Sequence, residues 1–311
     1  MNILRKLLAK STEISKITDS GWRRKRIHHR INGPIQHALH GSGIDYANAD
    51  WDTLIILDAC RADLFEESVD TDRWDSYERG NSGAGATPTW FKRKWSDEYG
   101  DIVYVAGTPI LSRRAPGSFH RVIECWQNAI NENLNGPDPK IVTESAIEAH
   151  EQYPNKRVVV HYMQPHYPFL CDPDLHFTEF SGTKEWDVNA DPRAGNVWEA
   201  LRAGIVTKNQ VWDGYKRNLE YVIEEVDKLL EEINGKVVIS ADHGNMMGEW
   251  TYPIPFREYG HPMHLNQPSL TSVPWAVDDG QRRKIIQGDV QSSTNATPQE
   301  IETQLKALGY Q

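Results

Sequence analysis

The chain has 311 residues, 39% of them apolar and 10% aromatic, ample for one large domain or two smaller ones. There is no run of about 18 consecutive apolar residues and no apolar stretch behind the early basic residues, which speaks against a membrane span and a secretory signal. Three dispersed cysteines (Cys60, Cys125, Cys171) form neither a disulfide framework nor a zinc pattern, so a cytoplasmic location is the default expectation.

Charge is unevenly placed. Residues 1–44 carry nine Lys/Arg against Glu13 and Asp19, a net of +7, while the whole chain is −10 and the remainder therefore −17. "MNILRKLLAK" places Ile3, Leu4, Leu7 and Leu8 on one helical face with Arg5, Lys6 and Lys10 around it. Such a segment can lie on an anionic membrane surface, here the inner face, or dock on the protein's own acidic body. The acidic remainder argues against nucleic acid as a partner.

In chain order, "WDTLIILDACRADLF" (51–65) reads as a strand over Thr53–Leu57, then Asp58, then a helix from about Cys60. "DIVYVAGTP" (101–109) reads as a second strand. "SFHRVIECWQNAINENL" (118–134) and "IVTESAIEAHEQY" (141–153) read as helices, and "KRVVVHYMQPHYPF" (156–169) as a third strand ended by Pro165. Residues 171–204, rich in Asp, Pro, Gly and Trp, lack periodicity and read as an insertion over the strand ends. Val211, Tyr215, Leu219, Val222, Val226, Leu229, Leu230 and Ile233 define a long helix stopped by Asn234-Gly235. Strands follow at Lys236–Ile239 and in "SVPWAV" (272–277), and a capping box at Thr297–Glu300 opens a last helix with Pro298 at its first position. This alternation predicts an α/β domain over 45–311 with a mainly parallel central sheet covered by helices on both faces.

The strand ends carry the chemistry. Val237, Val238 and Ile239 are continuous and β-branched, as in a strand buried on both faces, yet the run ends in Asp242, His243 and Gly244. "TLIIL" ends in Asp58, the third strand brings His161 and His166, and "YGHPMH" adds His261 and His264. Ligands collect at the carboxyl ends of parallel strands. Asp58, Asp242 and His243 suit one divalent cation, zinc or manganese first, magnesium or calcium as alternatives, and the other histidines could hold an anionic substrate. Each also has a plainer reading: Asp242 as a helix cap, His161 as a core residue, His264 as surface.

"ILDACR", "PHYPF", "SADHGNMMGE" and the following "YGH" and "VPW" together resemble the sulfatase-like branch of the alkaline phosphatase superfamily, which includes sulfatases, lipoteichoic acid synthases and phosphoethanolamine transferases. The resemblance covers roughly residues 50–280 and implies an alkaline-phosphatase-like fold. It implies metal ligation by Asp58, Asp242 and His243, contact of His166 with the transferring group, and an anion-binding or proton-donating role for His261. Arg61 and His264 are further substrate-binding candidates.

It also implies a nucleophile in "RGNSGAGATPTWF" (79–91). Sulfatases need Cys or Ser two residues before the proline for maturation to formylglycine, and here that residue is Ala86. Thr serves in the phosphotransferase relatives, so Thr87 is the first candidate and Ser82 the second. "ATPTW" could also be a plain helix start. The expected activity is a metal-dependent hydrolase or transferase of phosphate esters on a small molecule, glycan or lipid-linked substrate. The alternatives are a sulfuric ester hydrolase without formylglycine and an inactive member that binds anionic glycans. Trp186 and Trp198 of the insertion could stack on a sugar.

Overall fold

The computed structural model describes residues 19–114, 117–127, 130–131, 136–177, 194–291 and 296–307. The amphipathic stretch at 1–10 and Trp186 lie outside them. In chain order the strands are β1 (Thr53–Leu57), β2 (Ser76–Asn81), β3 (Tyr99–Ala106), β4 (Phe119–Ile123), β5 (Arg157–Tyr162) and β6 (Lys236–Ser240). A hairpin of β7 (Met246–Trp250) and β8 (Arg257–Gly260) then leads to β9 (Ser272–Asp279). Seven of these form one sheet in the order β2-β9-β6-β1-β5-β3-β4. The five strands from β6 to β4 run parallel, and β9 pairs antiparallel with both β6 and the edge strand β2.

Eight helices are used below: α1 (Ser20–Ile27), α2 (Gly33–His40), α3 (Ala62–Ser68), α4 (Thr87–Lys94), α5 (Pro139–Gln152), α6 (Val197–Ala203), α7 (Lys208–Glu232) and α8 (Pro298–Ala307). β1 lies between β5 and β6, with Leu57 opposite Tyr162 and Ile56 opposite Ser240. All five of its residues are buried, which is why its sequence is continuously apolar rather than alternating. Successive residues serve opposite faces. Leu54 and Ile56 pack with Tyr104, Val159 and Val238 against Trp90 and Phe91 of α4. Ile55 and Leu57 pack with Val103, Val160 and Ile239 against α5 and α7.

α7 starts three residues before Val211 because Thr207 and Gln210 form a capping box. The same device opens α8, where Thr297 and Glu300 bond reciprocally. Two expectations differ from what is found, and one strand was not expected. Residues 118–134 contain strand β4 rather than a helix: the spacing of Phe119, Val122 and Trp126 is helical, and parallel pairing with β3 overrides it. β2, "SYERGN", is an exposed edge strand without an apolar pattern and carried no signal. Within the insertion, α6 is capped by Asn196 and buries Trp198 among Phe169 and Tyr215, so that indole has no face for a sugar.

The described part of the basic N-terminal segment docks on the acidic body. Arg24 Nε lies 3.1 Å and His28 Nε2 2.9 Å from Glu258 Oε1.

Candidate metal site

The carboxyl ends of β1, β5 and β6 converge. The Asp58 N–H donates to the Tyr162 carbonyl at 3.1 Å, and the His166 N–H donates to the Asp58 carbonyl at 3.0 Å, so the turns after β1 and β5 are stitched together. After β6, the chain turns outward at Asp242. Its Oδ1 accepts the backbone N–H groups of Ala59 at 3.0 Å and His243 at 2.9 Å, while Oδ2 accepts no hydrogen bond among the described residues. Ala59 holds a left-handed backbone (φ 62°), which turns its N–H onto that carboxylate.

Asp58, Asp242 and His243 each offer one ligand atom, all within 4.8 Å of one another, and all three residues are fully buried. His243 Nε2 is 3.6 Å from Asp58 Oδ1 and 3.5 Å from Asp242 Oδ2. Its Nδ1 lies 2.9 Å from the Gly244 carbonyl and donates there, which leaves the lone pair on Nε2.

Thr87, the first residue of α4, enters the same space. Its hydroxyl is 3.1 Å from His243 Nε2 and 3.5 Å from Asp58 Oδ1. Ala86 is the N-cap, so Pro88 occupies the second helical position. The other hydroxyls of this stretch point elsewhere: Ser82 bonds the Ala84 carbonyl of its own loop and Thr89 the Met263 carbonyl. The small residues around Thr87 have a packing reason. A side chain at Gly85 would strike the Leu265 carbonyl at 2.4 Å, in the loop 261–267 that carries His261.

Histidines surround the cluster. His261 lies with ring centroids 5.0 Å from His166 and 4.9 Å from His243, its Nδ1 3.0 Å from Asn245 Oδ1. His161 bonds Tyr104 through Nδ1 at 2.8 Å, with Nε2 3.8 Å from Asp58 Oδ2. Burial drives the imidazoles toward the neutral form: His243 and His161 fall to about 4, His261 to about 3, and His166 well below its usual value. Burial pushes the Asp242 carboxyl up, against the pull of His161.

This electrostatics tests the metal. Two carboxylates at zero exposure, faced by neutral imidazoles, concentrate negative charge where water cannot offset it. A divalent cation would, and a carboxylate–carboxylate–imidazole set with a hydroxyl alongside fits zinc or manganese chemistry. The residues fit the ion.

Two candidates take other places. The Arg61 guanidinium is bonded to Asp63, to Glu249 at 2.8 Å and to the Asn245 carbonyl at 2.7 Å, and lies over Trp212. It therefore clamps the turn after β6. The His264 ring meets His29, next to α1. A cavity of about 550 Å³ among Ile44, Lys94, Asp101 and Arg157 sits at the amino ends of β3 and β5, the opposite edge of the sheet.

Asn218 and Asn245 carry no expectation from the sequence, and Tyr215 figured there only in the apolar stripe of the long helix. From the buried face of α7, Asn218 donates to the carbonyls of Pro165 and His166, and Tyr215 bonds the Ala59 carbonyl and Asn245. Polar residues inside the apolar stripe of α7 were the available signal.

No protein-family model matches the chain, and no curated protein matches it. Among solved structures it resembles the integral membrane lipooligosaccharide phosphoethanolamine transferase A (EptA) of Neisseria meningitidis (TM-score 0.46, 10% identity, covering 74% of this chain and 47% of that one). It thus spans about half the length of EptA. It also resembles the C-terminal periplasmic domain of EcEptC from Escherichia coli, in complex with Zn (TM-score 0.41, 13% identity, 77% and 76% covered). A third is the phosphonate monoester hydrolase SpPMH of Silicibacter pomeroyi (TM-score 0.38, 14% identity, 82% and 72% covered). The likeness is one of fold, and the fold is a mainly parallel seven-stranded sheet with helices packed around it.

The expectation of a cytoplasmic location does not hold. The matched chains include periplasmic domains and an integral membrane protein, and dispersed free cysteines do not distinguish these settings. Among the described residues, no helix is long and apolar enough to cross a membrane.

Proposed function

We propose that this chain is a metal-dependent enzyme acting on phosphate esters, with Thr87 as nucleophile. The observation that carries the reading is the position of the Thr87 hydroxyl, 3.1 Å from His243 Nε2 and 3.5 Å from Asp58 Oδ1, at the one point where the buried ligand atoms converge. A divalent cation held by Asp58, Asp242 and His243 would supply the positive charge that favours a deprotonated threonine hydroxyl and developing phosphoryl charge. The chain's own groups do the rest. Thr87 Oγ1 forms a bond to phosphorus as the bond from phosphorus to the ester oxygen breaks, and the leaving oxygen takes a proton. Water or an alcohol then attacks the same phosphorus, breaks the Thr87–phosphorus link and restores the hydroxyl. His166 and His261 stand beside the cluster, where neutral imidazoles can orient the non-bridging oxygens or donate to the leaving oxygen. Ala86 two residues before Pro88 disfavours the sulfuric ester alternative, because no formylglycine can be made there. The substrate is a phosphorylated small molecule, glycan or lipid headgroup.

The test is mass spectrometry of the purified, metal-loaded protein after brief incubation with a chromogenic phosphate monoester and an acid quench. Phosphate on Thr87 is expected. Phosphate on Ser82 would transfer the nucleophile's role to the second candidate, and turnover of sulfate esters alone would overturn the reading.

A further inference from the structure

The helical segment from α1 through the π-turn His28–Asn32 to α2 is built inside out. Its inward side chains are polar. Asn32 donates to Thr251 Oγ1 at 3.1 Å and the Ile254 carbonyl at 2.8 Å, Gln36 exchanges bonds with Tyr252 and Asn266, and His28 meets Glu258. Its outward side carries an aliphatic row: Ile31, Ile35 and Leu39, spaced by four, are 37%, 41% and 66% exposed. A helix bonded to the body through amides and showing its aliphatic side to the outside reverses the order expected against water. The reversal extends past the helix. Six large apolar side chains are exposed among the described residues, and five lie here: these three, Trp250 in the hairpin that bonds Asn32 and Gln36, and Met263 beside His264.

Charge says what covers the face. Residues 20–40 contain no Asp or Glu, in a chain of net charge −10. Arg23, Lys25 and Arg30 are exposed along the same segment. An apolar strip edged by cations on an otherwise acidic protein matches a lipid surface with anionic headgroups, into which the aliphatic side chains enter while the basic groups stay with the phosphates. We propose that this face docks the protein on an anionic lipid surface. The inference is independent of the chemistry proposed above, and it gives that site a setting. The loop 261–267 carries Met263 in the strip and His261 at the metal cluster, so docking would hold the cluster's rim near the headgroups.

The experiment is co-sedimentation of the full chain with vesicles of phosphatidylcholine alone or with about 30% phosphatidylglycerol, at roughly 0.1 M and 0.5 M salt. Binding to the anionic vesicles that falls with salt is expected. The double variant Ile35→Asn/Leu39→Asn should lower the bound fraction at least ~10-fold, with unchanged metal content and melting temperature. The variant Arg23→Gln/Lys25→Gln/Arg30→Gln, which leaves the aliphatic strip intact, should lose most of the salt dependence. Failure of the unaltered chain to bind, equal binding to both vesicle types, or full binding by the double variant would overturn the proposal. So would a dimer in solution that the Leu39 change dissociates, since the face would then belong to a second copy.

Discussion

Asn218 Nδ2 lies 3.1 Å from the carbonyl oxygen of His166, and through this contact the long helix α7 governs the shape of the loop that brings His166 to the cluster. The same amide reaches the Pro165 and Pro168 carbonyls, and its oxygen accepts the Leu170 N–H at 3.0 Å. Replacing Asn218 by Ala leaves these buried groups without their partner and should cost on the order of 2–3 kcal/mol. Urea unfolding measures that loss. Because His166 is misplaced and the Asp58–Asp242–His243 set is untouched, turnover should fall while metal stoichiometry stays constant. A variant that unfolds at the same urea concentration as the parent would show that water replaces the amide.

The difference between what was legible and what was not follows from where partners lie in the chain. β1 and β6 were legible because strands buried on both faces must be continuously apolar, and a carboxylate directly after such a run has few structural uses. Thr87 over Ser82 came from family resemblance alone, since spacing does not reveal which hydroxyl turns inward. The partners of Arg61 were not legible because Asn245 and Glu249, which hold its guanidinium, lie 184 and 188 residues away. β2 and β4 are edge strands with mixed patterns, made strands by their neighbours. Asn218 was legible in principle: an amide at a buried position of an amphipathic helix needs partners, and a loop rich in prolines offers free carbonyls.

Asp242→Asn should separate structural from metal-holding roles by a reversal of sign. An amide oxygen can still accept from Ala59 and His243, so the turn keeps its shape. One buried negative charge disappears. In excess chelator the variant should therefore melt higher than the parent, because an uncompensated buried carboxylate has been removed. With zinc or manganese present the order should invert, and affinity should fall beyond the ~10–100-fold typical of altering a ligand's supporting partner. Melting curves under the two conditions, with metal titration, decide it. The same order in both conditions would remove Asp242 from the ligand set.

Acid should weaken the fold through His150. Its Nδ1 accepts from Arg283 at 3.1 Å, so its Nε2 donates to Thr53 Oγ1 at 3.2 Å, tying α5 to the start of β1. Burial, then the Arg283 charge, lowers its pKa to about 3. The folded state keeps the ring neutral while the unfolded chain takes up a proton near its ordinary value of 6.5. Stability is therefore full above about pH 6.5 and lost as pH falls toward 3, by on the order of 2 kcal/mol between pH 7 and 5. His150→Gln should flatten that part of the urea-midpoint profile. A variant with the parent's acid slope would place the titration elsewhere, on the site histidines.

Substitutions at Thr87 test the nucleophile against a merely structural hydroxyl. Thr87→Ala removes Oγ1, whose partners are His243 Nε2 and Asp58. The position is the first residue of α4 and the cap is Ala86 with no side-chain bond, so the hydroxyl is not needed to start the helix. Stability should move by less than about 1 kcal/mol, and His243 would have its lone pair free for the cation. Turnover of a phosphate monoester should fall by at least ~1,000-fold, since no other hydroxyl of the loop faces the cluster. Thr87→Ser keeps the oxygen and should retain a measurable fraction of the rate and the covalent phosphate, with the freer rotamer of serine costing roughly tenfold. A structural role predicts a different pair of results, in which both variants turn over alike and differ only in melting temperature. Equal residual activity in the Ala and Ser variants would therefore remove Thr87 from the chemistry, whatever happened to their stability.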